Sequence, residues 1–319
     1  MPRALILGVT GQDGQFLADL LLEKKYEVVG IARAPRAFLT NPLSLRRPIF
    51  KSMDILETNE LSKIIQDFDP DEIYNLAGES SVSNSFENPS STIQSNVVGV
   101  VNLLNCVRKF SKPKKMRLFQ ASSAEMFGSS NEQLNELSNF NPKSPYAFSK
   151  LAAHQICQFF RKDYGQWISC GILFNHESEL RPENYVFKKV ISSAVAISKG
   201  KLKKIKLGNI DIRRDWGYSR DYVEAMWLML QAETPDDFVI ATGEQHSLKD
   251  LLTLTLNQLG NSSAIDEFIE FDVTLKRPTD IESTWGDPDK IKKGLGWSAN
   301  INFENLISKI VSYEQMSYS

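Results

Sequence analysis

The chain has 319 residues, 42% of them hydrophobic and 24% charged, a globular balance that excludes wholesale disorder and suits one large or two ordinary domains. Lys and Arg number 37 against 39 Asp and Glu, and a formal net charge of -2 argues against a nucleic-acid or membrane-surface protein. The longest purely apolar run, 225–230, falls far short of the ~20 residues of a spanning helix. The start runs directly into a strand-like segment with no cleavable apolar region, so a cytoplasmic location is expected. Cys106, Cys157 and Cys170, with His154, His176 and His246, show no paired spacing, so neither a disulfide framework nor a metal site is expected.

The apolar run 4–7 predicts a strand, and 16–22 repeats at helical spacing. Strands are then expected at 28–31, 73–76, 118–121 and 168–174, with helices at 61–68, 93–110 and 146–164 between them. This alternation predicts an α/β fold, a doubly wound parallel sheet of the Rossmann kind with right-handed crossovers. All of these strands read as apolar on both faces, as strands covered by helices on each side do. After Asn175 the rhythm changes. A helix is expected at 186–199, another at 222–230, and a short strand at 238–240 that rejoins the first sheet. From 247 onward the pattern reads as helices with irregular connections. The division expected is a dinucleotide-binding domain over 1–180, rejoined by 216–245, and a smaller interleaved substrate domain from 181–215 and 246–319.

Between the first strand and its helix lies Gly8-Val9-Thr10-Gly11-Gln12-Asp13-Gly14. Gly8 permits the tight turn, Gly11 lets backbone approach a pyrophosphate, and Gly14 lets helix and strand pack closely. The helix N-terminus then offers unpaired N–H groups and a partial positive charge to phosphates. Three spaced glycines alone are a weak signal, but after the first strand of an alternating chain the dinucleotide reading outweighs a plain turn. Their spacing resembles the short-chain dehydrogenase/reductase family. The second strand ends in Ala32-Arg33 rather than an acid, so Arg33, with Arg36 nearby, is placed to pair a 2′-phosphate, which favours NADP over NAD.

Ser144-Pro145-Tyr146-Ala147-Phe148-Ser149-Lys150 carries the sharpest chemical information. Ser144 suits an N-cap and Pro145 the first helical position. Tyr146 and Lys150 then share a face one turn apart. A phenol titrates at about 10, and a neighbouring ammonium with the helix N-terminus is expected to lower that value, making Tyr146 a base for a hydroxyl whose carbon gives a hydride to nicotinamide. Upstream, Ser123 and Glu125 follow the strand at 118–121, at the carboxyl edge where such sheets bind ligands. Ser123 can hydrogen-bond the substrate hydroxyl. A dehydrogenase needs only Ser, Tyr and Lys, so the extra carboxylate of Glu125 suggests proton transfer at a neighbouring carbon. Asn96 is a candidate to order a proton relay, with helix packing an equally good reading.

GVTGQDG, YNLAGESSV, QASSAEMFG, SPYAFSK, GILFNHES, LGNIDIRRDWGYSRDYVEAMWLML, DFVIATGE and RPTDIE follow one another as in the GDP-mannose 4,6-dehydratases, which the chain resembles from residue 4 to about 297. The resemblance implies an NADP-dependent lyase acting on a GDP-sugar as a homodimer or homotetramer, with Ser123, Glu125, Tyr146 and Lys150 catalytic. It also implies Thr10, Gln12, Asp13, Asp54, Ile55, Leu76 and Ala77 beside the cofactor, with Tyr146 and Lys150. For the substrate it implies Ser85, Asn175, Glu177, Lys189, Leu207, Arg214 and Arg277. Arg214 and Arg277 are expected to grip the diphosphate through guanidinium forks. His176 stands outside the catalytic set.

The chain departs from the family pattern in several places. Ser123 replaces a threonine, Ala124 a serine, Glu79-Ser80-Ser81 a Gln-Ser-His, and Phe187 a threonine beside the nucleotide-binding lysine. Glu179-Leu180-Arg181-Pro182 replaces Pro-Arg-Arg-Gly, and the loop after Arg33 is shorter. These departures admit a modified hexose or a heptose in place of mannose. The competing readings are a GDP-4-keto-6-deoxymannose reductase using NADPH, and a non-catalytic NADP-binding protein.

Overall fold

The computed structural model describes residues 1–33, 48–110, 116–261, 265–272, 275, 279 and 281–317. Strand and helix alternate through the first half: β1 (Arg3–Leu7), α1 (Gln12–Glu23), β2 (Glu27–Ala32), β3 (Ile49–Ser52), α2 (Thr58–Phe68) and β4 (Glu72–Asn75). Then come α3 (Val82–Glu87), α4 (Pro89–Ile93), α5 (Gly99–Phe110), β5 (Arg117–Ser123), α6 (Pro145–Asp163) and β6 (Trp167–Leu173). The second half contains β7 (Asn175–Glu177), α7 (Val186–Ser198), β8 (Ile205–Leu207), β9 (Arg213–Arg214), β10 (Trp216–Tyr218), α8 (Ser219–Gln231) and β11 (Asp237–Ile240). It closes with β12 (His246–Ser247), α9 (Leu248–Gln258), β13 (Ile269–Phe271), β14 (Ser283–Thr284), α10 (Asp289–Leu295) and α11 (Phe303–Ser317).

Seven strands pair in parallel in the order β11-β6-β5-β4-β1-β2-β3. The chain therefore leaves β1 toward one edge and returns to build toward the other, which opens a crevice past the carboxyl ends of β1 and β4. Alternation along each strand sends side chains to opposite layers. Ala4, Ile6, Tyr74 and Phe119 pack with Phe16 and Leu17 of α1 and Met226 of α8. Leu5, Leu7, Ile73 and Leu118 pack with Leu61 of α2, Leu103 of α5 and Cys157 of α6. Both faces are covered, which is why these strands carry no polar alternation. Among the described residues no helix is long and apolar enough to cross a membrane.

A separate apolar cluster joins Phe187 and Ile191 of α7, Trp216, Leu251 and Leu252 of α9, and Phe303 and Ile307 of α11. Around it lie three small sheets, β10-β7, β12-β9-β14 and β13-β8. From 247 onward, where helices with irregular connections are expected, β13 and β14 are the added strands. Strands of two or three residues are too short for an alternating pattern to register in sequence. The helix expected over 93–110 is also interrupted: between α4 and α5 the backbone makes a π turn over Gln94–Val98. Such a turn inserts one extra residue and re-aims the side chains it carries.

Candidate active site

At Gly8 the backbone adopts φ +86°, and an added Cβ would lie 2.8 Å from the Leu76 carbonyl carbon, so this turn admits only glycine. At Gly14 an added Cβ would run into the carbonyl oxygen of Gly8, which fixes how closely α1 approaches the loop. Gly11 is the N-cap of α1 and offers no side-chain cap to the first-turn N–H groups. A cavity of about 380 Å³ opens over this turn. Gly8, Thr10, Gly11, Gln12, Asp13 and Gly14 line it, together with Arg33, Asp54, Ile55, Leu76 and Ala77. A glycine-only turn, an uncapped helix start and a cavity along both fit a dinucleotide: the diphosphate at the start of α1, the adenosine end toward Arg33 and Asp54.

A second cavity, also about 380 Å³, adjoins the first, and Asp13, Leu76, Ser80 and Arg181 line both. It collects Ser123, Glu125, Tyr146 and Lys150 with Asn175, Glu177, Lys189, Leu207 and Arg214. Ser123 ends β5, and its hydroxyl accepts the Glu125 N–H at 3.2 Å, so the two are held at a fixed offset. Ser144 caps α6 by accepting the Ala147 N–H at 3.1 Å, with Pro145 in the first turn. This start orients Tyr146 and Lys150 into the cavity.

The electrostatics differ from the expectation for Tyr146. Burial pushes its phenol well above the ordinary tyrosine value; the Ser123 hydrogen bond and Arg181 oppose the rise, and the charge of Glu125 adds to it. The expected lowering by Lys150 is not present in this structure. Lys150 Nζ stands 5.8 Å from the Tyr146 ring centroid and donates to the Ala121 carbonyl at 3.0 Å. Burial lowers Lys150 itself to about 8, with Asp13 resisting.

The π turn presents Asn96. Its Nδ2 donates to Ser149 Oγ at 3.0 Å and to the Glu79 carbonyl at 3.1 Å, while its Oδ1 accepts the Glu79 N–H at 2.8 Å. Ser149 in turn donates to the Tyr146 carbonyl at 2.7 Å. The loop after β4 is thereby fastened to the helix carrying the tyrosine. Glu79 faces its own loop: its carboxylate accepts Ser80 and Ser81 N–H groups at 2.9 and 2.8 Å and the Asn84 amide.

Ser85, which the resemblance puts at the substrate, and Phe187, which departs from the family pattern near Lys189, are both buried. Ser85 is fully buried, and its hydroxyl donates to the Val82 carbonyl at 2.6 Å, because a serine in this short helix back-bonds its own turn. Phe187, which replaces a threonine beside the nucleotide-binding lysine, is fully buried against the rings of Trp216 and Phe303 in the second core. Arg277 lies outside the described residues, as does Arg36. Lys189 Nζ donates to the Lys206 carbonyl at 2.7 Å, and buried Arg214 donates to the Arg213 carbonyl at 2.8 Å. Glu177 is buried with Arg181 Nε at 3.1 Å; burial raises its pKa against the pull of Arg181.

Sequence reasoning missed other residues at this site. Tyr185 lines the second cavity, and its hydroxyl meets Ser80 Oγ at 2.7 Å, with the Arg181 guanidinium over its ring at 3.7 Å. Folding also gathers His154, Cys170 and Asp237, with donor atoms within 4.8 Å of one another. Asp237 is already held by both terminal nitrogens of Arg161 and by Gln158, an ion-pair network rather than an open ligand set.

A sequence profile of the GDP-mannose 4,6 dehydratase family matches residues 5–310. GDP-mannose 4,6 dehydratase 1 of Arabidopsis thaliana is 40% identical over 320 residues, covering 97% of this chain and 88% of that protein. The Homo sapiens GDP-mannose 4,6 dehydratase is 38% identical over 334 residues, covering 97% and 90%. Among solved structures, UDP-glucose 4-epimerase of Thermotoga maritima with UDP-glucose superposes with TM-score 0.87 at 21% identity, over 99% of this chain and 100% of that one. DesIV, a dTDP-glucose 4,6-dehydratase of Streptomyces venezuelae with NAD and TYD bound, gives 0.86 at 22%, over 98% and 97%. At such identities these two likenesses concern the fold alone.

Proposed function

The chain belongs to the GDP-mannose 4,6-dehydratase family, and from that premise we propose that it converts GDP-mannose, or a close GDP-sugar, to the 4-keto-6-deoxy sugar nucleotide with loss of water. The observation that carries this is the meeting of Ser123, Glu125, Tyr146 and Lys150 in one cavity that shares a wall with the glycine-loop cavity. It is a lyase reaction: oxidation and reduction cancel within one turnover.

When bound, a nicotinamide dinucleotide supplies a reversible hydride acceptor. Tyr146 takes the proton of the sugar C4 hydroxyl as the C4 hydride departs, and Ser123 holds that oxygen through a preorganised hydroxyl. For Tyr146 to act as base its phenol must first lose a proton, which burial and the charge of Glu125 oppose and the Ser123 hydrogen bond and Arg181 favour. The resulting ketone acidifies C5, and Glu125 removes that proton while the C6 hydroxyl leaves as water. Glu125 passes that proton to the departing C6 hydroxyl; C6 then receives the hydride and C5 the proton that Tyr146 took from O4, which returns Tyr146 to its basic form. Arg214 and Lys189 serve the diphosphate end of the GDP-sugar.

NADP is favoured by Arg33, which stands at the end of β2 where an acid would select a free ribose hydroxyl. Replacing Arg33 by Asp should shift preference toward NAD; an unchanged ratio would remove this argument. The domain reading, 1–180 with 216–245 for the cofactor and 181–215 with 246–319 for the nucleotide sugar, is supported by the separate apolar cluster beside α7, α9 and α11. A homodimer or homotetramer is supported by exposed Ile93, Val98 and Phe148 near or on α4, α5 and α6, and light scattering tests it. A cytoplasmic location is supported by three buried, unpaired cysteines.

The test is incubation with GDP-mannose and substoichiometric NADP⁺. The expected product is lighter by one water with no build-up of NADPH. Stoichiometric consumption of added NADPH on a 4-keto sugar, with GDP-mannose untouched, would assign the reductase instead.

A further inference from the structure

Tyr185 stands at the N-cap of α7 and lines the second cavity. Its hydroxyl and that of Ser80, in the loop between β4 and α3, lie 2.7 Å apart although 105 positions separate them in the chain. The Arg181 guanidinium covers the Tyr185 ring, 3.7 Å from its centroid, and fixes its orientation. Two hydroxyls carry two hydrogens, and the bond between them uses one. The second hydrogen and the remaining lone pairs suit a ligand that donates and accepts at two adjacent oxygens. A vicinal diol is such a ligand.

Place along the cavity selects which diol. The Lys189 N–H donates to the Tyr185 carbonyl at 2.8 Å, so the two residues lie one turn apart on the same face, and both line the cavity. In the other direction, Tyr185 is near enough to Tyr146 for its charge to raise the Tyr146 phenol. Tyr185 therefore links Lys189, which serves the diphosphate on C1, to Tyr146, which serves the hydroxyl on C4. A hexopyranose joining those two points has two edges, one through C5 and the ring oxygen, the other through C2 and C3. Glu125 is assigned the C5 proton, which leaves the C2–C3 edge to Tyr185.

We propose that Tyr185 is a specificity-determining residue that touches the substrate: with Ser80 it forms a pair of hydroxyls that receives the vicinal C2 and C3 hydroxyls of the hexose. This rests on the GDP-sugar dehydratase reading, which supplies the ends of the sugar between which Tyr185 lies.

The experiment measures calorimetric affinities for GDP-mannose, GDP-2-deoxymannose, GDP-3-deoxymannose and GDP, in a Tyr146→Phe background so that no sugar is consumed. Adding Tyr185→Phe should weaken GDP-mannose about tenfold, the scale of one hydrogen bond lost in a closed site. GDP, which lacks the hexose, should be weakened less than about twofold, and so should whichever deoxy sugar lacks the partner hydroxyl. Affinity for NADPH should stay unchanged. Ser80→Ala should show the same selectivity among the sugars, and it carries the comparison where Tyr185→Phe fails to fold. Unchanged GDP-mannose affinity overturns the proposal. So does an equal loss for GDP or for both deoxy sugars, which marks a nucleotide contact or lost packing. A loss confined to NADPH also overturns it and assigns the hydroxyl pair to the diol of a cofactor ribose. A wild-type chain that binds no GDP-mannose overturns the GDP-sugar reading itself, whereas tight wild-type binding that Tyr185→Phe leaves intact overturns this inference alone.

Discussion

Lys150 Nζ donates to the carbonyl oxygen of Ala121 at 3.0 Å, which anchors the ammonium on the end of β5 instead of on the phenol one turn away. The consequence concerns stability as well as chemistry. Burial lowers this amine from 10.5 to about 8, so the folded chain binds the proton less tightly than the unfolded one. Charging Lys150 then opposes folding: the penalty is full below about pH 8 and gone above the unfolded value. Lys150→Met should accordingly raise stability at pH 7 by roughly 1–2 kcal/mol after loss of the Ala121 hydrogen bond, with the gain fading toward pH 10.5. Denaturant midpoints at the two pH values measure this, and a variant less stable at both contradicts it.

Tyr146→Phe leaves the buried ring in place and removes the hydroxyl. Hydride transfer should fall by about 10³-fold, within the range for general acid–base catalysis, while the far-ultraviolet dichroism stays unchanged. Stopped-flow absorbance of transient reduced cofactor reads the step directly. A persistent transient in the variant would mean that another group accepts the C4 proton.

Glu125 is assigned the C5 proton, so Glu125→Gln should still oxidise C4 yet fail to eliminate water. In heavy water the wild-type enzyme should place deuterium at C5, whereas the variant should leave C5 unexchanged. Full turnover by Glu125→Gln would show the division of labour to be wrong.

Asp237 is gripped by Arg161 at 2.7 and 2.8 Å and lies beside His154. Although burial raises it, the Arg161 hydrogen bonds and the charges of His154 and Arg161 lower its pKa overall. A depressed acid stabilises the fold above its unfolded pKa and loses that contribution as pH falls through the folded value. Arg161→Leu strands the carboxylate and should cost roughly 3 kcal/mol at pH 7, with the deficit shrinking under acid. A deficit that is constant with pH would indicate lost packing rather than lost charge pairing.

Residues whose reasons are local could be read from sequence. Gly8 and Gly14 announce a strand–turn–helix, and Tyr146 and Lys150 share a face because a helix repeats every 3.6 residues. The parallel sheet follows from apolar runs separated by helical ones. What escaped depends on contacts between distant segments. Asp13 and His176 meet across 163 residues, and nothing at either position signals the other. The π turn at Gln94–Val98 leaves no trace in hydrophobic spacing, so the aim of Asn96 onto Ser149 was invisible. Charge neighbours alone argued for an acidic Tyr146, whereas the degree of burial, a tertiary quantity, reversed the direction. Phe187 departs from the family's threonine two residues before Lys189, yet its position on α7 turns it into the core, which sequence adjacency does not show.

The central claim is that one hydride leaves C4 and returns to C6 of the same sugar without escaping to solvent. Incubation with GDP-mannose carrying deuterium at C4 and unlabelled NADP⁺ tests it most directly. The account predicts a dehydrated product with the label on C6 and none in the recovered cofactor. Label found in free reduced cofactor, or a dehydrated product with no deuterium at C6, would contradict it.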